Sequence, residues 1–240
     1  MQFIPLITFL VALIFAITVL DQYLARRKPH QLIWSIGLFM YSISAFTEFY
    51  WNAVGHVEFL YRLWYLLGAI FVAAYLGQGT IYLLMRRRNA NIIMALLGIV
   101  SLYGTVRVFT ANIDISNLTS LTGVGVMPLD IRFVVTPVLN AFGTFALIGG
   151  AIYSAFIFWS KHIFPNRVLS NILIAAGALL PAIGGTNLSL GNSLNLFFLL
   201  EFLGVIIMFI GFLRTKEVFG FFRFPLVHSF GKVEIVKENK

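Results

Sequence analysis

The sequence predicts an all-α, polytopic membrane protein: a bundle of seven transmembrane helices with the N-terminus outside and the C-terminus in the cytoplasm. Three observations predict it. Of 240 residues, 60% are hydrophobic and 11% charged, against roughly 45–50% and about 25% in a soluble domain. The mean hydropathy is +0.92. The apolar runs are long and continuous. A membrane barrel would instead show segments of alternating polarity, and in hydrocarbon a helix is the other way to satisfy every backbone polar group.

The first run, 3–21, follows Met1 without a basic leader and exceeds the usual signal core of about 7–15 residues. It is therefore expected to be a retained helix. The second and third runs, 32–53 and 61–85, flank a short turn near Gly55. In the third, Gln78 lies between Gly77 and Gly79, which predicts close approach of another helix. The fourth is 91–108. The fifth, 133–159, carries a small-residue ridge of Ala146, Gly150 and Ser154 with the same expected role. The sixth is 169–186, where Pro181 predicts a kink and Gly184-Gly185 an end. The seventh is 195–213. Residues 1–213 thus form the bundle and 214–240 a basic cytoplasmic tail, whose Phe219–Leu226 stretch fits the inner leaflet surface. The longest connection, 109–132, is polar and is read as a connector or as a lid over the neighbouring helix ends.

Charge sets the orientation. Arg26, Arg27 and Lys28 fall in the first connection, Arg86 to Arg88 in the third, Lys161 and Arg167 in the fifth, and six basic residues in the tail. The opposite side has Arg62, Arg107 and Arg132 alone. The positive-inside rule then gives an N-out, C-in protein of the cell membrane. It also accounts for the net charge of +8 as topology and contact with anionic headgroups. Nucleic acid is not an expected partner, because no basic face of a folded domain is present.

Many chemistries are excluded. The chain has no cysteine, so disulfides, thiolate metal sites and thiol catalysis are absent. His30, His56, His162 and His228 fall at or beyond helix ends, which does not suit a haem held inside the bundle. The seventh helix has no lysine at its middle for a retinal Schiff base. No HExxH, phosphate loop or GxSxG elbow occurs. No catalytic residue, metal ligand or resident cofactor is assigned; a bound lipid or a noncovalent pigment is compatible with the sequence.

Ionisable residues inside spans are costly and mark candidate sites. Glu48 lies seven residues before Gly55 and Arg62 seven after it, so the two are expected to meet across the hairpin at one depth. Glu201 lies near the start of the seventh helix and Arg107 near the end of the fourth, on the same outer side. The expected outcome is a balanced polar cluster of Glu48, Glu201, Arg62 and Arg107. Tyr41, Ser44, Glu48 and Asn52 follow one helical face, as do Thr136, Asn140 and Thr144. Tyr61, Trp64, Tyr65 and Tyr103 are the expected aromatic walls. The candidate ligand-binding set is therefore Glu48, Asn52, Arg62, Tyr65, Tyr103, Arg107, Asn140 and Glu201. Such a cluster more often ties helices together than binds a ligand, and least often handles protons or catalyses.

Three segments carry a family resemblance. "RRKPHQLIWSIGLFMYSISAFTEFYW", "FLYRLWYLLGAIF" and "NRVLSNILIAAGALLPAIGG" resemble the second, third and sixth helices of the seven-helix sensor region at the N-terminus of bacterial histidine kinases. The resemblance implies a sensor bundle perceiving a small or lipidic ligand. The tail is too short for a kinase domain, so output would need a separate partner, and the resemblance transfers no site residue.

The leading reading is a sensor- or receptor-like protein that binds a small apolar or amphipathic ligand in an outward-facing pocket. The alternative is a structural or accessory subunit of a membrane complex, with lipids, other subunits or a second copy as partners. The third is a transporter or intramembrane enzyme using Glu48 and Glu201.

Overall fold

A computed structural model describes residues 3–113, 126–161, 165–191 and 193–214. Every regular element among them is helical, and seven helices are long and apolar enough to cross a membrane. They are α1 (Ile4–Arg26), α2 (Pro29–Ala53), α3 (Glu58–Leu84), α4 (Arg87–Thr110), α5 (Ile131–Ser160), α6 (Pro165–Ser189) and α7 (Leu194–Arg214). Pro5 and Pro29 sit in first turns, where a missing N–H costs nothing. Arg27, at φ 52°, closes α1 in the left-handed conformation. Gly55, at φ 154°, lies in the α2–α3 turn.

Six helices form a ring in which neighbours adjoin in the order α1, α2, α3, α5, α6, α7 and back to α1. Helix α4 packs outside this ring, against α3 and the start of α5. Much of its surface is apolar and exposed, including Ile92, Leu96, Ile99 and Leu102. The helices alternate in direction. One end of the bundle, the basic end, therefore gathers Arg26, Arg27, Lys28, the arginines at 86–88, Lys161 and Arg214, all exposed. The other, the hairpin end, holds the Gly55 turn.

Small residues make the seams. A Cβ on Gly143 would lie 2.1 Å from the Ala73 carbonyl, and one on Gly77 2.7 Å from Gly143 Cα. Thus α3 and α5 touch backbone to backbone. Gly150 faces Thr80 and Leu84, and Gly79 faces the Trp34 ring, so the expected close approach around Gln78 and along the α5 ridge is present. Gln78 itself is fully buried and donates to Ala90 O at 2.8 Å. On the other side, α6 and α7 cross at Gly177, Gly204 and Gly211, and the Pro181 ring fills the space over Gly204. Gly184 and Gly185 do not end α6, which runs on to Ser189. A Cβ on Gly184 would lie 3.3 Å from Leu200 Cβ on α7, and in apolar surroundings continuing the helix is how the backbone keeps its partners.

Two helices change pitch at the hairpin end. Residues Tyr65–Phe71 of α3 and Ile131–Val135 at the start of α5 are π-helical. Such wide turns occur mostly where a helix serves a site, and both border the same cavity.

Candidate functional site: a cavity inside the ring

The ring encloses a cavity of about 670 Å³ in the half of the bundle towards the hairpin end. Helix α2 contributes Tyr41, Ser44 and Glu48, and α3 contributes Trp64, Tyr65 and Gly68. From α5 come Arg132, Thr136, Asn140 and Thr144, from α6 Pro181, Ala182 and Thr186, and from α7 Phe197 and Glu201. Leu76, Gly143, Leu147 and Met208 line its deeper part, towards the basic end. The π-helical turn of α3 matters locally. Gly68 has no room for a side chain, because a Cβ would lie 2.0 Å from Ser44 Oγ. The next carbonyl, Ala69 O, accepts from Asn140 Nδ2 at 2.7 Å, and so ties α3 to α5 across the cavity wall.

Glu48 and Glu201 are brought together. They stand on α2 and α7 with 1% and 6% of their surface exposed, and their carboxyl groups are close enough to hydrogen-bond to each other. Trp64 Nε1 donates to Glu48 Oε1 at 2.6 Å. The Tyr41 hydroxyl donates to the Glu201 carbonyl at 2.8 Å, which fixes α2 against α7. The Oε2 atoms of both acids have no donor among the described residues. Neither acid forms an ion pair among the described residues.

The expected pairing of these acids with Arg62 and Arg107 does not form. Arg62 turns away from Glu48. Its guanidinium bonds Glu58, one turn earlier on its own helix, together with the Val108 and Ala111 carbonyls at the end of α4. It closes a helix terminus. Arg107 makes a two-pronged pair with Asp130, at 2.9 Å from Nε and 2.8 Å from Nη2, and Tyr103 donates to the same carboxylate. The guanidinium and the phenol hold the Asp130 carboxyl below the usual carboxylate range. Tyr103 is therefore not a cavity wall but an exposed rim residue. Asn52 also misses the cavity, donating instead to Glu48 O at 2.7 Å. Of the sequence candidates, Glu48, Glu201, Tyr65 and Asn140 line the cavity, while Arg62, Arg107, Tyr103 and Asn52 do not.

Arg132 was legible in the sequence only as a charge near a helix end. It lines the cavity, lies 5.0 Å over the Phe133 ring and forms no ion pair among the described residues. Among the described residues, one cavity thus carries a cation and two facing acids with no ion pair between them.

The cavity has a side opening. Pro137, Ala141 and Phe145, one turn apart on α5, and Thr186 on α6 line it and are also exposed on the flank of the bundle. In a membrane that flank faces lipid tails. Residues 114–125 of the expected lid and the tail from 215 lie outside the described residues. Comparison with known proteins adds no relative: no family model, curated protein or solved structure matches this chain.

Proposed function

We propose that the protein is a receptor-like membrane protein that binds a small amphiphile in the ring cavity. The observation that carries this reading is the cavity's shape and lining together. It is large enough for a small ligand, mostly apolar, equipped with a few converging polar groups, and open towards the lipid flank. Ligand sites share these properties. A polar head would reach the Glu48–Glu201 end, and an apolar chain would lie between α5 and α6. Such entry from the bilayer keeps the chain out of water throughout. The basic residues gathered at one end favour the N-out, C-in orientation, which turns the cavity half of the bundle to the outside. Occupancy would reach the cytoplasm through α7, which carries Glu201 and ends at the basic face. A slide of packed helices of about 1–2 Å is a common form of such transmission.

The test uses single-chain amphiphiles with a bromine on the chain close to the head and cationic, neutral or anionic heads. Bromine quenches nearby tryptophan, and Trp64 lines the cavity. At least one head type is expected to give a saturable quench that disappears in Trp64→Phe and in the entrance-blocking Ala141→Phe. No saturable quench from any of the three would overturn the reading.

The meeting of Glu48 and Glu201 also favours a second reading, proton-coupled transport through the same cavity. Probe-driven proton movement across proteoliposomes would support it.

A further inference from the structure

We infer that the Glu48–Glu201 pair is a site for the cationic head of an amphiphile, and that the cation takes the place of a proton shared by the two carboxyl groups. This inference rests on the cavity reading above and names the class of its ligand.

Two carboxyl oxygens, Glu48 Oε2 and Glu201 Oε2, are buried without a partner among the described residues. Both acids are more than nine-tenths buried, and they face one another. Among the described residues a single protein donor, Trp64 Nε1, serves the four carboxyl oxygens. Two carboxylates in contact repel strongly away from water, so something positive must lie between them. The charged or titratable groups that could provide it are few. Tyr41 on α2 spends its hydroxyl on a backbone carbonyl. On α3, Tyr65 lines the wall and turns towards Thr136. Arg132 on α5 lies against Phe133 and beside Tyr61 and Tyr65. Helix α6 offers the cavity none, and α1 carries its own, Asp21, Tyr23 and Arg26, at the basic end. What is left is a proton or a cation from the ligand.

The exchange balances. An empty pair holding one proton carries a charge of minus one. When a monovalent cation enters and the proton leaves, both carboxylates are ionised, and pair plus cation again sum to minus one. The exchange leaves the buried charge unchanged, so burial opposes it little, whereas losing the proton without gaining the cation would leave two buried negative charges face to face. The aromatic lining selects the kind of cation. Trp64, Tyr65 and Tyr41 stand beside the acids, and ring faces attract alkylammonium groups, Trp most strongly. A bare metal ion is less suited, since hard cations take six or more oxygen ligands and the described residues contain no cluster of three or more acidic or histidine ligands.

The experiment uses the full chain in nonionic maltoside micelles, with 12-bromododecyltrimethylammonium as the probe and 12-bromododecanol as its neutral counterpart. The quaternary head keeps its charge at every pH. The cation is expected to bind more tightly than the alcohol and to release one proton per molecule bound, read by a pH dye in weak buffer. Its affinity should rise with pH, by up to tenfold per unit where one proton is exchanged. Glu48→Gln and Glu201→Gln should each weaken the cation by about tenfold or more, abolish proton release and leave the alcohol within about twofold. Independently of any ligand, the infrared carbonyl band of a protonated carboxyl should be present in the wild type and altered in both variants. Equal binding of cation and alcohol, or cation binding without proton release, would overturn the inference while leaving the cavity reading intact. Absence of binding by either probe, with the infrared band unchanged in the variants, would remove both.

Discussion

Two polar regions at the hairpin end use the same residue types in opposite ways. On the rim, Arg62 and Arg107 each find an acid and backbone or phenol partners within a turn or across one helix gap. Their charges are cancelled where they stand. In the cavity, Glu48 and Glu201 meet each other, and Arg132 lies against an aromatic ring. None of the three forms an ion pair among the described residues. The difference separates what fastens the bundle from what it presents to a ligand. Intramembrane ionisable residues signal function on average, but a satisfied pair at a helix end is a fastening.

The seam beneath the cavity gives the largest effect. In Gly143→Ala the new Cβ would collide with the Ala73 carbonyl carbon and oxygen, and backbone cannot yield as a flexible side chain can. A loss of about 3 kcal/mol or more is expected, read as a lowered melting temperature in detergent, with ligand binding lost alongside. Gly149→Ala, on the same helix with open space around it, is the control and should be neutral or slightly stabilising. Equal effects would mean that α3 and α5 do not touch at Gly143.

Next comes the rim. Arg62→Met should cost about 2–4 kcal/mol, because the Val108 and Ala111 carbonyls and the Glu58 carboxylate lose a charged donor at once. The cavity acids should behave differently. Glu48→Gln and Glu201→Gln remove a facing charge rather than a partner, so stability should change by less than about 1 kcal/mol or rise, while cation binding falls. If Glu48→Gln destabilised the bundle as much as Arg62→Met, the acid pair would be a fastening as well, and the contrast between the regions would disappear.

The sequence conveyed the architecture well and the site in part, for a physical reason. Hydropathy determines which segments lie in the membrane, and residue counting determines depth. Both worked for Glu48, Arg62 and Glu201, which do lie near one end. Depth does not give direction around the helix axis. Glu48 points into the ring, whereas Arg62 is drawn outward by the open carbonyls at the end of α4 and by Glu58 four residues before it. That i,i+4 acid was readable and would have corrected the pairing. Asp130 lies just before the apolar run, so its bond to Arg107 could not be seen from span composition. The two π-helical turns have no signature in the pattern of apolar residues, and it is they that border the cavity on α3 and α5. Arg132 was counted for topology, yet its neighbours in space make it a cavity residue.

The smallest effect is expected at Asp130. The folded protein holds its carboxyl below the ordinary range, so the unfolded chain takes up a proton first as pH falls. The contribution to stability is complete above the unfolded value, near 3.8, and is lost as pH drops below it towards the lower folded value. Asp130→Asn should therefore shift the melting temperature slightly at neutral pH and leave the protein less sensitive to acid. Because the pair is partly exposed, added salt should shrink the neutral-pH difference further. The cavity acids should show the reverse signature. They are shielded from bulk ions, so the pH dependence of cation binding should survive salt that erases the effect at Asp130. If salt flattened both alike, the acid pair would be in contact with bulk water, and the distinction between a screened rim and a sheltered cavity would fail.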